Sequence, residues 1–296
     1  MRIPEPFESL ALKLIGERVR SITGSTSSLD DFAVPRGDPG LFGPDSMAWR
    51  VHAHFMAMMV GGLSSLIIQS LHPRALAAVW DHSNFRGKLK ERLGRTAYFV
   101  AATTYGSKAL AMGAIQKVNA IHARISGHDL NGQAYVANEP ELIKWVHVVE
   151  AHCFLSAYQH LSKQPLSPVQ CDAYMAEMSK VGHLLGAEDL PVTCEVNDAQ
   201  LHAFQASLAF DERAQDIVRV IEAYPVDGLD QPFMRLVLQS AMDIMPLWAL
   251  SMMGRQASCA LQVQARRVAL QLAAEPVQWM LDKQGVAAVS RQRVMG

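Results

Sequence analysis

Helix punctuation recurs along the whole chain, and it limits most tightly what the chain can build. Apolar residues return every three or four positions between capping residues, glycines and prolines, and alternating apolar–polar runs are nearly lacking. Asp45 or Ser46 is placed to cap a long helix ending near Leu71. Pro73 suits the first turn of a short helix through Trp80, and a polar break covers residues 81–87. Helices are expected over about 88–105, closed by Gly106, and over 107–126, stopped by Gly127. Residues 127–132 read as a turn-rich connector. Asn138 is placed to cap a helix reaching Leu161, with Glu139 and Pro140 in its first turn. Ser167-Pro168 opens another, ending near Gly186. Asn197 is placed to cap one through Phe210, and others cover 212–223 and 232–253, the last kinked at Pro246. A further helical region follows Gln256. Near the start, Phe7, Leu10, Leu14 and Ile15 share helical spacing. The expected fold class is all-α, a single multi-helix domain over residues 1–296 with strand content near zero. The absence of a fixed-period repeat disfavours a helical solenoid.

Composition narrows the function classes. The chain has 296 residues and is 50% hydrophobic, ample for one substantial core. Its formal net charge of -1 gives no global field to gather nucleic acid or an anionic membrane surface. The cysteines, Cys153, Cys171, Cys194 and Cys259, form no C-x-x-C pair, which argues against a zinc ribbon, a thioredoxin-like motif and c-type haem attachment. Free thiols in a reducing compartment are the expectation. A membrane-spanning helix needs ~20 apolar residues. The stretch 55–68 is too short, and 97–115 is interrupted by Gly106, Ser107 and Lys108. No integral membrane segment is expected, and the charged first twenty residues lack the apolar run of a signal peptide. The expected location is cytoplasmic.

The common catalytic signatures are missing. Gly61-Gly62 lies in a helix-like apolar run and not in a phosphate loop. There is no H-E-x-x-H, no E-x-x-H and no G-x-S-x-G. What remains is a set of histidines and arginines set among apolar helix faces. His122 falls on the stripe of Ala111, Ala114, Ile115, Val118, Ile121 and Ile125, which turns its ring inward. The ordinary account of such a residue is a core histidine bonded to a carbonyl or hydroxyl. The functional account is a metal or haem ligand. Arg92, Arg95, Thr96 and Phe99 share one helix face. An ion pair with Glu91, Asp81 or another acid would explain the arginines, and so would an anionic ligand that draws them inward. His147 heads a second inward stripe with Ala151, Phe154 and Tyr158, and is the rival ligand. His72 is placed to satisfy the end of the long apolar helix. His52 and His54 face different sides of their helix and cannot chelate one ion.

The order of these motifs carries a resemblance. Gly43-Pro44-Asp45-Ser46 with Trp49-Arg50 is followed by Leu66-Ile67-Ile68-Gln69 with His72-Pro73, then Asp81-His82-Ser83. After them come Arg92-Leu93-Gly94-Arg95-Thr96, Tyr105-Gly106, Val118 to His122 with Gly127, Gly132 to Ala137, and Trp145-Val146-His147. Over roughly residues 40–210 this series resembles the MpaB and rubber-oxygenase catalytic domain family, with the helices of 211–296 expected to pack on that core. The resemblance implies a globin-like helical fold around haem b, and dioxygen-dependent cleavage of carbon–carbon double bonds in isoprenoid chains. It further implies that His122 is the proximal haem ligand, with Arg92 and Thr96 beside the haem. Arg95 stands where the rubber-cleaving members carry a lysine that can cap the iron, and an arginine is a poor iron ligand. Asn119 replaces the arginine that precedes the proximal histidine in that branch. Rubber is therefore not assigned as substrate. The expected function is haem b-dependent oxygenation of an apolar small molecule, with Arg92, Arg95 and Thr96 as the catalytic face. The alternative is a non-catalytic haem- or lipid-binding module for sensing or carriage.

Overall fold

The computed structural model describes residues 16–17, 28–224 and 230–296; the helical spacing of Phe7 to Ile15 lies outside them. A 3-10 turn, Leu29–Phe32, precedes α1 (Met47–His52), α2 (Phe55–Gln69), α3 (Pro73–His82), α4 (Phe85–Tyr105) and α5 (Lys108–His122). A two-stranded hairpin, β1 (Ser126–His128) and β2 (Ala134–Val136), leads to α6 (Pro140–Leu161), α7 (Pro168–Leu185) and α8 (Cys194–Phe204). The chain continues through α9 (Glu212–Glu222), α10 (Gln231–Asp243), α11 (Leu247–Met252), α12 (Ala260–Gln284) and α13 (Val286–Met295). The predominantly helical expectation holds.

The core is organised around α2 and α6, which pack along most of their length. Close approach is possible because Gly61 has no side chain: a Cβ there would lie 2.8 Å from the Cys153 carbonyl and 2.9 Å from the Phe154 ring. Side chains lock the register. Gln69 Nε2 donates to the Val146 carbonyl at 3.2 Å, and Trp145 Nε1 donates to the Gln69 carbonyl at 3.1 Å. The Gln69–Pro73 and Trp145–His147 motifs, far apart in the chain, are thus two halves of one helix contact. Helices α10 and α12 pack on the outer side of α2.

Several expected boundaries move for local reasons. The helix foreseen from Ser46 to Leu71 is broken in two. Ser46 caps α1, and His54, in an extended conformation, caps α2 by accepting from the Ala57 amide at 3.2 Å. His72 does not close α2 but caps α3, its ring accepting from the Ala75 amide. The 81–87 break shrinks to Ser83 and Asn84, and α4 is kinked at Lys88. Glu139 stands at the α6 N-cap, not Asn138; its carboxylate accepts from the Val136 amide at 2.7 Å and pairs with Arg74. Thr193 caps α8, so Asn197 is buried inside that helix and does not start it. Pro246 separates α10 from α11 instead of kinking one helix. Of the 127–132 connector, Gly127 and His128 belong to strand β1, and only residues 129–132 lie in the tip of the antiparallel hairpin. Asp129 Oδ1 caps that tip by accepting from the Asn131 and Gln133 amides, and Gly132 supplies the positive φ of +76° that the turn requires.

Among the described residues, no single helix is long and apolar enough to cross a membrane. The apolar α2 and α3 are bent by 104° at their junction.

Candidate functional site

Helices α4 and α5 form an antiparallel hairpin closed at Gly106 and Ser107. A Cβ on Gly106 would lie 2.4 Å from the Ala102 carbonyl, so the tight turn needs glycine. With ~1.5 Å of rise per residue, Arg92 lies ~21 Å before the turn and His122 ~24 Å after it. Equal distance from the turn does not bring their side chains together: Arg92 lines the larger of two cavities between α4 and α6, and His122 lines neither.

One face of α4 stands off from α6, and two cavities occupy the gap. The larger is lined by Leu66, Val79, Phe85, Leu89, Arg92 and Val146, with Ile217 and Ile221 of α9. The smaller is lined by Phe99, Thr103, Thr104, His147, Glu150, Met178, Val181 and Leu185, with His52 and Phe42. Beyond the Lys88 kink, positions 89, 92, 96, 99 and 103 share helical spacing, and α4 lines both cavities. Thr96 has that spacing but is exposed and lines neither cavity. We describe the whole gap as the α4–α6 cleft.

Arg92 is half-buried. Its Nη1 donates to Ser83 Oγ at 2.7 Å, and no carboxylate pairs with it among the described residues. The acids proposed to explain it are engaged elsewhere: Glu91 with Lys88, and Asp81 with Arg213 and with the Tyr135 hydroxyl. Burial, and then the neighbouring charge of Arg95, pull its pKa below the ordinary guanidinium value. Arg95 and Thr96 differ from expectation. Both are exposed, and Thr96 Oγ1 donates back to the Arg92 carbonyl at 3.3 Å.

His122 ends α5, half-buried, on the inward stripe of Ala111, Ile115 and Val118. Ile121 does not belong to that stripe; it is 49% exposed. Ile125 lies beyond the helix end. The His122 Nδ1 is shut off from solvent and has no hydrogen-bond partner among the described residues, and burial lowers its pKa. One turn earlier, Asn119 Nδ2 donates to the Leu184 carbonyl at 3.0 Å, tying α5 to the end of α7, where Leu185 lines the smaller cavity.

His147 is 5% exposed, and its Nε2 is likewise buried without a partner. Burial holds its pKa down to about 4, against a hydrogen bond to the Met178 backbone that raises it. Both candidate ligands are thus neutral imidazoles with an unused buried nitrogen, the form that binds iron. Sequence reasoning missed Glu150. It lies one turn after His147 in the same cavity and makes no hydrogen bond or ion pair among the described residues. Burial pushes its carboxyl up to about 7. The signal was present, since an acid three residues after an inward histidine shares its face.

A model of the family described as "ER-bound oxygenase mpaB/B'/Rubber oxygenase, catalytic domain" matches residues 49–279. The chain belongs to this oxygenase family. The match extends beyond the 40–210 region that carries the motif resemblance and takes in α9, α10, α11 and most of α12, so the helices behind the cleft are part of the family domain. No curated protein and no solved structure gives a significant match. Within this oxygenase domain the shared motifs have visible structural work. Asp81, His82 and Ser83 hold Tyr135, the Ser126 carbonyl and Arg92 respectively. Arg50 bonds the Tyr158 hydroxyl and the Gln164 carbonyl, each at 3.0 Å.

Proposed function

We propose that this oxygenase-family chain binds haem b and uses dioxygen to oxidise an apolar small molecule in the α4–α6 cleft, by oxidative cleavage of an isoprenoid C=C bond. The observation that supports the haem assignment is His122: a neutral imidazole with a buried ring nitrogen that has no partner among the described residues. The chemistry of these residues suits the group. An imidazole can hold the iron, Arg92 can neutralise a propionate, and the cleft walls are aliphatic and aromatic. His122 is the proposed ligand and His147 the rival.

When bound, haem iron would supply dioxygen binding and activation. The chain's own part is distinct. His122 would hold the iron, and burial keeps its ring unprotonated. Arg92, held by Ser83, presents fixed positive charge at the cleft wall. Leu66, Val79, Phe85 and Leu89 exclude water from an apolar substrate. Arg95 and Thr96 would act there only after turning inward.

That outward placement of Arg95 and Thr96 favours a second reading, a non-catalytic haem- or lipid-binding module. Purified protein reconstituted with haem should show a Soret band and consume dioxygen with terpenoid substrates. A haem-loaded protein without turnover supports sensing or carriage, and a chain that never takes up haem sinks the first reading.

A further inference from the structure

The outer face of α12 carries an apolar seam that no described residue covers. One side of the helix is core: Leu270 and Ala274 are buried, and Arg266 turns inward to bond Asp243 through Nε and Nη2, each at 2.6 Å. At ~3.6 residues per turn, the opposite side holds Leu261, Ala265, Val268 and Leu272. All four are exposed, Leu261 to 80%, Val268 to 43% and Leu272 to 64%. Single exposed aliphatic residues are ordinary, but a line of them opposite the core line marks an interaction surface. A helix that is apolar on both sides is normally covered on both. From Gln256 to Ala274 the only charged residues are Arg266 and Arg267, the latter half-buried. Beyond Leu272 charge closes the seam: Glu275 pairs with Lys163 at 2.8 Å, and Lys283 lies over the Trp279 ring at 4.8 Å.

We propose that this seam pairs two copies of the chain, α12 against α12, as an antiparallel two-fold dimer. The spacing selects that occupant. The four residues are separated by four, three and four positions, the d-a-d-a interval of a coiled-coil seam. That interval reads the same in both directions. Antiparallel packing therefore sets Leu261 of each protomer on Leu272 of the other, and Ala265 on Val268, in one register that fills every layer. A two-fold contact needs a self-complementary patch of this kind. The flanks suit a close neighbour. Gln262, Gln264, Ala269 and Ala273 are uncharged, so no like charges meet, and the alanines let the helix axes approach to ~8–10 Å. A bilayer surface fits less well. An interfacial helix carries lysines and arginines beside its apolar face, and the one cation flanking this seam, Arg267, is half-buried. The inference is independent of haem and dioxygen.

Sedimentation velocity of the full-length protein tests it. A seam of two heptads is small for an interface, so a reversible monomer–dimer equilibrium is expected at about 10–500 µM. Leu272→Glu should weaken dimerisation at least about tenfold, as loss of an apolar anchor does. The position is exposed, so circular dichroism should stay that of the parent. The register is read separately, in a Cys259→Ser background. Leu261→Cys and Leu272→Cys proteins, mixed and treated with oxidised glutathione, should give a disulfide-linked dimer. The two thiols lose their hydrogens as the glutathione disulfide is reduced to two thiols. Either protein alone should stay unlinked. A parent that remains monomeric up to about 500 µM overturns the proposal. So do a dimer that Leu272→Glu leaves intact, a mixture that forms no linked dimer, and linkage of either cysteine protein with itself. A monomeric parent that binds phosphatidylcholine vesicles, and loses them with Leu272→Glu, gives the face to a bilayer and equally overturns it.

Discussion

His147 and Gly182 meet ring against backbone: a Cβ on Gly182 would lie 2.9 Å from His147 Cδ2 and 2.4 Å from Leu190 Cδ1. The side-chain-free surface of α7 is therefore what lets the His147 ring lie between α6 and α7 with its free nitrogen in the cavity. Gly182→Ala should destabilise the protein by about 1–3 kcal/mol, the ordinary cost of overpacking, and displace the ring. Urea denaturation measures the first effect. An unchanged midpoint would mean that α7 shifts freely, and the ring would then not be fixed by this contact.

Axial ligation separates the two imidazoles. His122→Ala should abolish the Soret band of reconstituted protein, or convert it to a form restored by added imidazole. His147→Ala should retain ligation. The reverse pattern would move the iron to His147 and keep the haem assignment.

Arg92 and Thr96 are one turn apart but differently placed, and their effects should differ. A preorganised charge beside a reacting centre contributes about 2.7–4 kcal/mol, roughly a hundred- to thousandfold in rate. Arg92→Ala should approach that loss in turnover per bound haem, with weaker haem retention. Thr96, exposed and bonded to its own helix, should change turnover by only about twofold, as an exposed position does. A loss at Thr96→Ala equal to that at Arg92→Ala would show that this part of α4 rotates inward in the working state.

Acid should weaken the fold through its buried imidazoles. Burial holds His52 down to about 3, and His72 and His147 to about 4, from an ordinary 6.5. Between those values the unfolded chain binds more protons, so stability falls as pH drops from about 6.5 toward 4. Glu150 acts in the opposite sense. Its folded carboxyl titrates near 7 against an ordinary 4.5, so the folded state binds more protons in that window and gains stability on acidification. Glu150→Gln should therefore lose stability more steeply than the parent between pH 7 and 5 in urea midpoints. Parallel curves would show that the Glu150 carboxyl is not held up by burial.

The sequence by itself determined the helical class, most helix starts and the inward turn of His122 and His147. These follow from local rules: a capping side chain bonds an amide two or three residues away, and apolar spacing of three and four selects one face. The start of α7 at Ser167-Pro168 and its end near Gly186 were legible for that reason. Ile121, by contrast, fits the apolar spacing yet faces solvent, because the partner helix covers only part of that face. Tertiary structure alone decided which distant pieces meet. It joined Gln69 to Val146, and it kept Arg92 from the nearby acids by giving those acids other partners. It also turned Thr96 outward and left Glu150 in a cavity with His147. Spacing along a helix fixes a direction, but whether that direction ends in solvent, a neighbour or a cleft depends on residues far away in the chain.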